Sequence, residues 1–260
     1  MKTPLFSCVV PVKGERPYFD TALTSLRNQG MGDDLEVIVQ DADVEPDEGQ
    51  SDAFNKGFAK ARGEWFFWLN ADDVLLPGTL KKVAAVIRRK GADVSWITGN
   101  VVYLDVAGKV IRCAWDVGWK SSCCGLPVQV YGPSSFFRRE LLTACGGFDT
   151  SLHYAMDIDL WCRFRLAGYW HEKVSALFWG FRIHSGSKTH EAQMGGWPKP
   201  IADEHKVLDV RYGFTSIELM RWWAFLTRLL NGSYFKAWSL TRQLNGCAWE
   251  DLAEQEAQTD

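Results

Sequence analysis

Apolar and polar positions fall into short blocks along the first part of the chain, and each block has a period. Residues 5–12 (Leu5-Phe6-Ser7-Cys8-Val9-Val10-Pro11-Val12) are almost uninterruptedly apolar and stop at Lys13-Gly14, which predicts a buried strand. From Tyr18 to Gln29 the apolar residues Phe19, Ala22, Leu23 and Leu26 recur at helical spacing, and Gly30 closes the segment. Residues 35–39 predict a second strand ending at Gln40-Asp41, followed by a polar loop to Gly49 and a helix over 51–62 that Gly63 stops. Residues 64–69 read as a third strand running into Asn70-Ala71-Asp72-Asp73. Pro77-Gly78 then opens a helix to about Lys90.

Strand and helix in alternation imply an α/β sheet, mainly parallel, with helices on both faces. Ligands of such sheets bind beyond the carboxyl ends of the strands, so Asp41 and the Asp72-Asp73 pair should share one crevice. Further on, short strands are predicted over 94–98, 100–104, 109–114, 128–137 and 176–183, with helices over 139–145 and 157–168. The tail from Glu191 reads as two or three helices. One of them, around Trp222-Trp223-Ala224-Phe225-Leu226-Thr227-Arg228-Leu229-Leu230, could lie on a membrane surface, pack on the rest of the chain or form a dimer face.

Composition narrows this picture. A chain of 260 residues with 47% hydrophobic and 23% charged residues suits one sizeable folded domain with a helical appendage. The net charge of -3 leaves no basic footprint for nucleic acid, and Arg138-Arg139, Lys81-Lys82 and Arg88-Arg89-Lys90 read as solvated helix faces. Seven cysteines without metal-ligand spacing, and no leader before Met1-Lys2-Thr3-Pro4, fit free thiols in a reducing cytoplasm. No apolar run reaches membrane-spanning length. The 13 tryptophans belong mostly to the core, with some free to stack on sugar rings.

Two consecutive carboxylates in a turn after a buried strand suit a divalent cation, which takes hard oxygen ligands and keeps positions for phosphate and water. The structural alternative is a helix N-cap at Asp72 with a first-turn acid at Asp73. Several groups in order, however, resemble a family-2 glycosyltransferase of GT-A fold. They are Val9-Val10-Pro11-Val12, the run from Gly49-Gln50-Ser51-Asp52 through Asn55-Lys56-Gly57, Gly63-Glu64, and Trp68-Leu69-Asn70-Ala71-Asp72-Asp73 with Leu76-Pro77-Gly78. Gly146-Gly147-Phe148-Asp149, Tyr154-Ala155-Met156-Asp157-Ile158-Asp159 and Phe181-Arg182-Ile183-His184-Ser185-Gly186-Ser187 complete the set.

The resemblance implies a GT-A catalytic domain over 1–189; the tail, read from its residues as a helical extension over 190–260, lies outside it. It also implies an inverting hexosyltransferase that takes a nucleotide sugar, most commonly a UDP-sugar, to a surface glycan, a lipid-linked sugar or a protein. By it, Asp73 and His184 would hold Mn²⁺ or Mg²⁺ and Asp72 would touch the ribose or the metal shell. Asp41, with Asp43 as competitor, would meet the nucleobase. Pro11, Gln50, Ser51, Asp52, Asn55, Lys56 and Asn70 would line the donor site, with Arg182 and Lys188 adding positive charge. Asp157 would be the base, and Asp159, two residues on and facing elsewhere, would anchor neighbouring backbone. The sequence departs from the family pattern twice. A helix–strand unit is missing between Asp41 and Gly49, and Met156 stands where relatives carry Glu. The resemblance also leaves room for a homo-oligomer. A non-catalytic binder of the same fold and a sugar nucleotidylyltransferase are the rival readings.

Overall fold

The structure, a computed structural model, describes residues 2–116, 130–187, 198–213 and 217–252. Among the described residues, eight strands, numbered in chain order, form one mixed sheet in the order β2-β1-β3-β7-β5-β8-β4, with β6 paired to β5. Strands β1 (Phe6–Val12), β2 (Leu35–Asp41) and β3 (Trp65–Trp68) run parallel, as the strand–helix alternation predicts. The other half is mainly antiparallel. There β7 (Ser135–Arg138) joins β3 to β5 (Trp96–Leu104), β6 (Val110–Ala114) pairs with β5, and β4 (Val74–Leu75) pairs with β8 (Glu172–Arg182). Only β5 and β8 are parallel there.

The period of two along β1 and β3 explains why both faces are covered. Phe6, Cys8 and Val10 of β1, with Trp65 and Phe67 of β3, turn to a core shared with α1 (Phe19–Arg27) and α3 (Thr79–Lys90). Val9, Phe66 and Trp68 turn to the opposite core, built with α2 (Gln50–Lys60), α4 (Arg139–Ala144) and α5 (Met156–Leu166). That second core is dominated by stacked rings, including Trp68–Trp161 at 5.8 Å and Trp96–Trp161 at 4.9 Å.

Two readings of the pattern change. Where strands over 94–98 and 100–104 are expected, Trp96–Leu104 forms a single one, because Gly99 is no turn. A Cβ there would meet the Phe178 ring at 2.1 Å, so the glycine lets β8 lie close. Nor is Asp72-Asp73 a helix start, since β4 intervenes and α3 begins only at Thr79. The interval from β2 to α2 holds no helix or strand, as the short sequence there requires.

In the tail, α6 (Lys199–Tyr212), α7 (Ile217–Leu230) and α8 (Ser233–Leu244) follow one another. The expected boundary at residue 189, Lys188 and the Cys123-Cys124 pair lie outside the described residues. Cys8, Cys113, Cys145, Cys162 and Cys247 are free thiols. No helix among the described residues is long and apolar enough to cross a membrane.

Candidate active site

A cleft of about 680 Å³ opens beyond the carboxyl ends of β1 and β3. Of the residues marked by sequence, Pro11, Gln50, Asn70, Asp72, Asp157 and His184 line it. Asp41, Ser51, Asp52, Asn55, Lys56 and Asp73 do not, and each is occupied elsewhere.

The 70–73 turn splits its two carboxylates. The amide of Asp73 bonds back to the Asn70 carbonyl at 3.2 Å, and β4 starts directly afterwards, so Asp73 points into the protein. It is 0% exposed. Its Oδ1 accepts the Arg182 amide at 3.0 Å and its Oδ2 accepts Asn70 Nδ2 at 2.8 Å. Burial, then the neighbouring Asp72 charge, push its carboxyl well above the usual range. The carboxylate of the pair that faces the cleft is Asp72, whose Oδ2 lies 2.9 Å from His184 Nε2. Arg182 holds this arrangement from behind. It is buried, and its guanidinium donates to the Asp72, Asp105 and Val106 carbonyls and lies over Tyr18, so it adds a staple where free positive charge was expected.

Helix α2 divides in the same way. Gln50, at its start, faces the cleft and donates to Asn70 Oδ1 at 2.9 Å, which links the helix to the turn and through Asn70 to Asp73. One residue on, Ser51 is buried and donates to the Leu152 carbonyl. Asn55 exchanges two hydrogen bonds with the Phe148 backbone, both at 2.8 Å, and pins the Gly146-Gly147-Phe148-Asp149 loop. Asp52 pairs with Lys56 within the helix at 2.8 Å.

Asp41 stands at the rim. Arg16 donates to it at 2.7 Å and reaches Asp43 at 3.4 Å, while Asp43 also accepts the Gly14 amide. The Arg16 hydrogen bond holds Asp41 below the ordinary carboxylate range. Arg16 itself lines the cleft, so the acid pair presents a cation to it instead of two carboxylates.

On the far wall, Asp157 occupies the first turn of α5, with Oδ1 on the Ile158 amide at 2.8 Å. Opposite it the chain is a glycine for a reason, because a Cβ on Gly132 would meet Trp68 at 2.8 Å and Asp157 Oδ2 at 3.1 Å. Asp159 points away as expected but anchors side chains, not backbone. It is 0% exposed and bonds Arg163, Arg211 and Tyr212 at 2.6–2.9 Å.

Sequence reasoning passed over what fixes this wall. Glu204 of α6 accepts the His153, Tyr154 and Ala155 amides at 2.7–2.8 Å, which caps α5 just before Asp157. Ile201 and His205 of the same helix line the cleft, with burial lowering the His205 basicity. Nothing in the local sequence of α6 marks these residues; only their long-range contacts do. Tyr18, Tyr131 and Trp179 complete the lining and were equally unmarked.

Residues 43–110 match the family model described as Glycosyl transferase family 2. This segment carries α2, β3, the 70–73 turn and β5. The chain is 22% identical over 231 residues to an uncharacterized glycosyltransferase of Rickettsia typhi, covering 79% of this chain and 70% of that one. It is 24% identical over 182 residues to a PGL/p-HBAD biosynthesis glycosyltransferase of Mycobacterium bovis, covering 61% and 69%. Among solved structures it is similar to S. aureus TarS in complex with UDP-GlcNAc, with TM-score 0.60, 18% identity, and 79% and 65% of the two chains covered. It is also similar to the mannosyltransferase PcManGT of Pyrobaculum calidifontis in complex with GDP-Man and Mn²⁺, with TM-score 0.50, 17% identity, and 94% and 85% covered. The chain thus spans less than two thirds of that TarS chain. Together with the mixed sheet and its flanking helices, these likenesses give the fold as GT-A.

Among the described residues, no group of three or more His, Cys, Asp or Glu side chains converges as a metal cage. The pair that does face the cleft still suits an ion. Two ligands at about 2.1 Å on neighbouring corners of an octahedron stand ~3.0 Å apart, and Asp72 Oδ2 and His184 Nε2 are separated by 2.9 Å. As drawn, His184 Nδ1 accepts the Gly186 amide at 3.2 Å, which leaves the ring proton on Nε2. Ligation through Nε2 would shift that proton to Nδ1 and give up the Gly186 contact.

Proposed function

We propose that this protein transfers a sugar from a nucleoside diphosphate sugar, a UDP-sugar, to an acceptor hydroxyl with inversion at the anomeric carbon. The observation that carries this reading is the meeting of Asp157 with the Asp72–His184 pair in one cleft. The family 2 match over the turn itself supports it, as do the nucleotide sugars held by two proteins of the same fold.

In this reading the acceptor oxygen attacks the anomeric carbon from one side. The bond to the diphosphate oxygen breaks with its electron pair, and Asp157 takes the hydroxyl proton. Gln50, Asn70 and Pro11 form the donor wall, and Arg16 adds positive charge at its rim. Asp72 and His184 would hold Mn²⁺ or Mg²⁺, which would neutralise the departing diphosphate. Asp73 acts from behind, fixing Asn70 and hence the direction of Asp72. The acceptor enters beside Asp157, where α6 supplies Ile201 and His205, and is a surface glycan, a lipid-linked sugar or a protein.

A thermal-shift panel of UDP-, GDP- and dTDP-sugars with and without Mn²⁺ tests the reading. Saturation near a hundred times the dissociation constant stabilises a fold by about 2.7 kcal/mol, so a UDP-sugar should raise the midpoint, and more with Mn²⁺. No shift with any nucleotide sugar contradicts the proposal.

A further inference from the structure

Helix α7 turns its apolar stripe the wrong way for a core helix. Trp222, Phe225, Leu226, Leu229 and Leu230 follow the i, i+3, i+4, i+7, i+8 spacing of a single face, which in a surface helix ordinarily packs inward. Here that face is exposed, Trp222 at 66% and Leu230 at 75%, while Thr227 is buried and Arg228 is turned to the body of the protein. Helix α8 repeats the arrangement. It buries Leu244 and lets the Cys113 amide donate to Thr241 Oγ1 at 2.9 Å, yet leaves Phe235 at 72% and Trp238 at 54% exposure. Rings join the two stripes, with Phe225–Tyr234 at 5.6 Å bridging the helices. A contiguous aromatic and aliphatic surface of this kind calls for a partner.

Charge decides which partner. From Ile217 to Leu244 the hairpin carries four basic residues (Arg221, Arg228, Lys236 and Arg242) against one acidic residue, Glu218, in a chain whose net charge is -3. Lys236 and Arg242 are exposed, and Arg242 lies over the Trp238 ring at 5.0 Å. A second copy docked face to face would bring these cations against their own images. An anionic bilayer attracts them and takes Trp and Phe at headgroup level. Helix α7, at 14 residues, is too short to span a bilayer and suits lying along one.

We propose that the α7–α8 hairpin is an interfacial anchor that docks this protein on an anionic lipid surface. The anchor is fastened to the site, since Arg228 donates at 2.7 Å to the hydroxyl of Tyr131 in the cleft wall. Docking therefore holds the cleft beside the membrane.

Vesicle flotation of the full chain tests this. The protein should float with phosphatidylcholine vesicles containing about one third phosphatidylglycerol and far less with phosphatidylcholine alone. Binding should weaken at least tenfold in Trp222→Ser/Phe235→Ser/Trp238→Ser and by a smaller factor in Lys236→Gln/Arg242→Gln, on the order expected for an interfacial helix. Circular dichroism unchanged from wild type will show that these exposed substitutions leave the fold intact. No flotation with anionic vesicles, or flotation indifferent to the triple substitution, overturns the proposal. So does a dimer in sedimentation velocity that the triple substitution dissociates while vesicles bind nothing.

Discussion

The turn after β3 and the first turn of α5 each carry two aspartates, and each treats them in opposite ways. In the turn, Asp72 faces the cleft beside His184, while Asp73 is buried on a backbone amide and Asn70. In the helix, Asp157 faces the cleft, while Asp159 is buried on two arginines and a tyrosine. The buried member differs in its partners. Asp73 accepts from neutral donors, and burial, then the neighbouring Asp72 charge, push its carboxyl toward the protonated form. Asp159 is satisfied by the cations Arg163 and Arg211. In both regions a cleft-facing acid stands beside an acid committed to structure.

The largest expected effect separates the helix pair. Asp157→Asn should cut transfer by about 10²–10⁴-fold, the usual worth of a positioned base, while nucleotide binding measured by calorimetry stays near wild type. Asp159→Ala should do the reverse and strike the fold. Arg163 keeps the Cys145 and Gly147 carbonyls and Arg211 keeps Asp149, so the lost charged hydrogen bonds cost about 1–3 kcal/mol, read as a drop in the thermal midpoint. Retained stability in Asp159→Ala would break the comparison from that side.

A smaller effect concerns the cap. Glu204→Gln should lower kcat by up to about tenfold, or ~1.4 kcal/mol, with donor affinity unchanged and the pH profile of kcat displaced. A change in donor affinity alone would detach Glu204 from Asp157.

A last effect, on stability and not on transfer, lies away from the cleft. Burial against Trp96, with Lys173 and Arg165 nearby, lowers the His171 pKa to about 4. The folded state then binds fewer protons than the unfolded state below the ordinary value of about 6.5. Stability should be full above that pH and decline as pH falls toward 4, by at most roughly 3 kcal/mol. His171→Phe should flatten the decline seen in midpoints measured from neutral to acid pH.

The parts of this fold readable from sequence are those in which local pattern and tertiary role agree. Strands β1 and β3 announce themselves because burial on both faces leaves runs with almost no polar residue. Asp72, Asp157, His184, Gln50 and Asn70 were legible because each ends or begins an element at the sheet's carboxyl edge. What was not legible depends on distance in sequence. Glu204 is one acid among several on α6, and its role comes from amides some fifty residues away. Arg16 carries no local mark, and its direction comes from Asp41 and Asp43 across the loop. The direction of Asp73 follows from β4, a strand of two residues that no periodicity could reveal.

The most direct test of this division of roles compares Asp72→Asn with Asp73→Asn in calorimetric titrations of UDP with and without Mn²⁺. Asp72→Asn should abolish the gain in affinity that Mn²⁺ gives. Asp73→Asn should keep that gain and show its effect as a lower thermal midpoint. Loss of the Mn²⁺ gain in Asp73→Asn with its retention in Asp72→Asn would contradict the account.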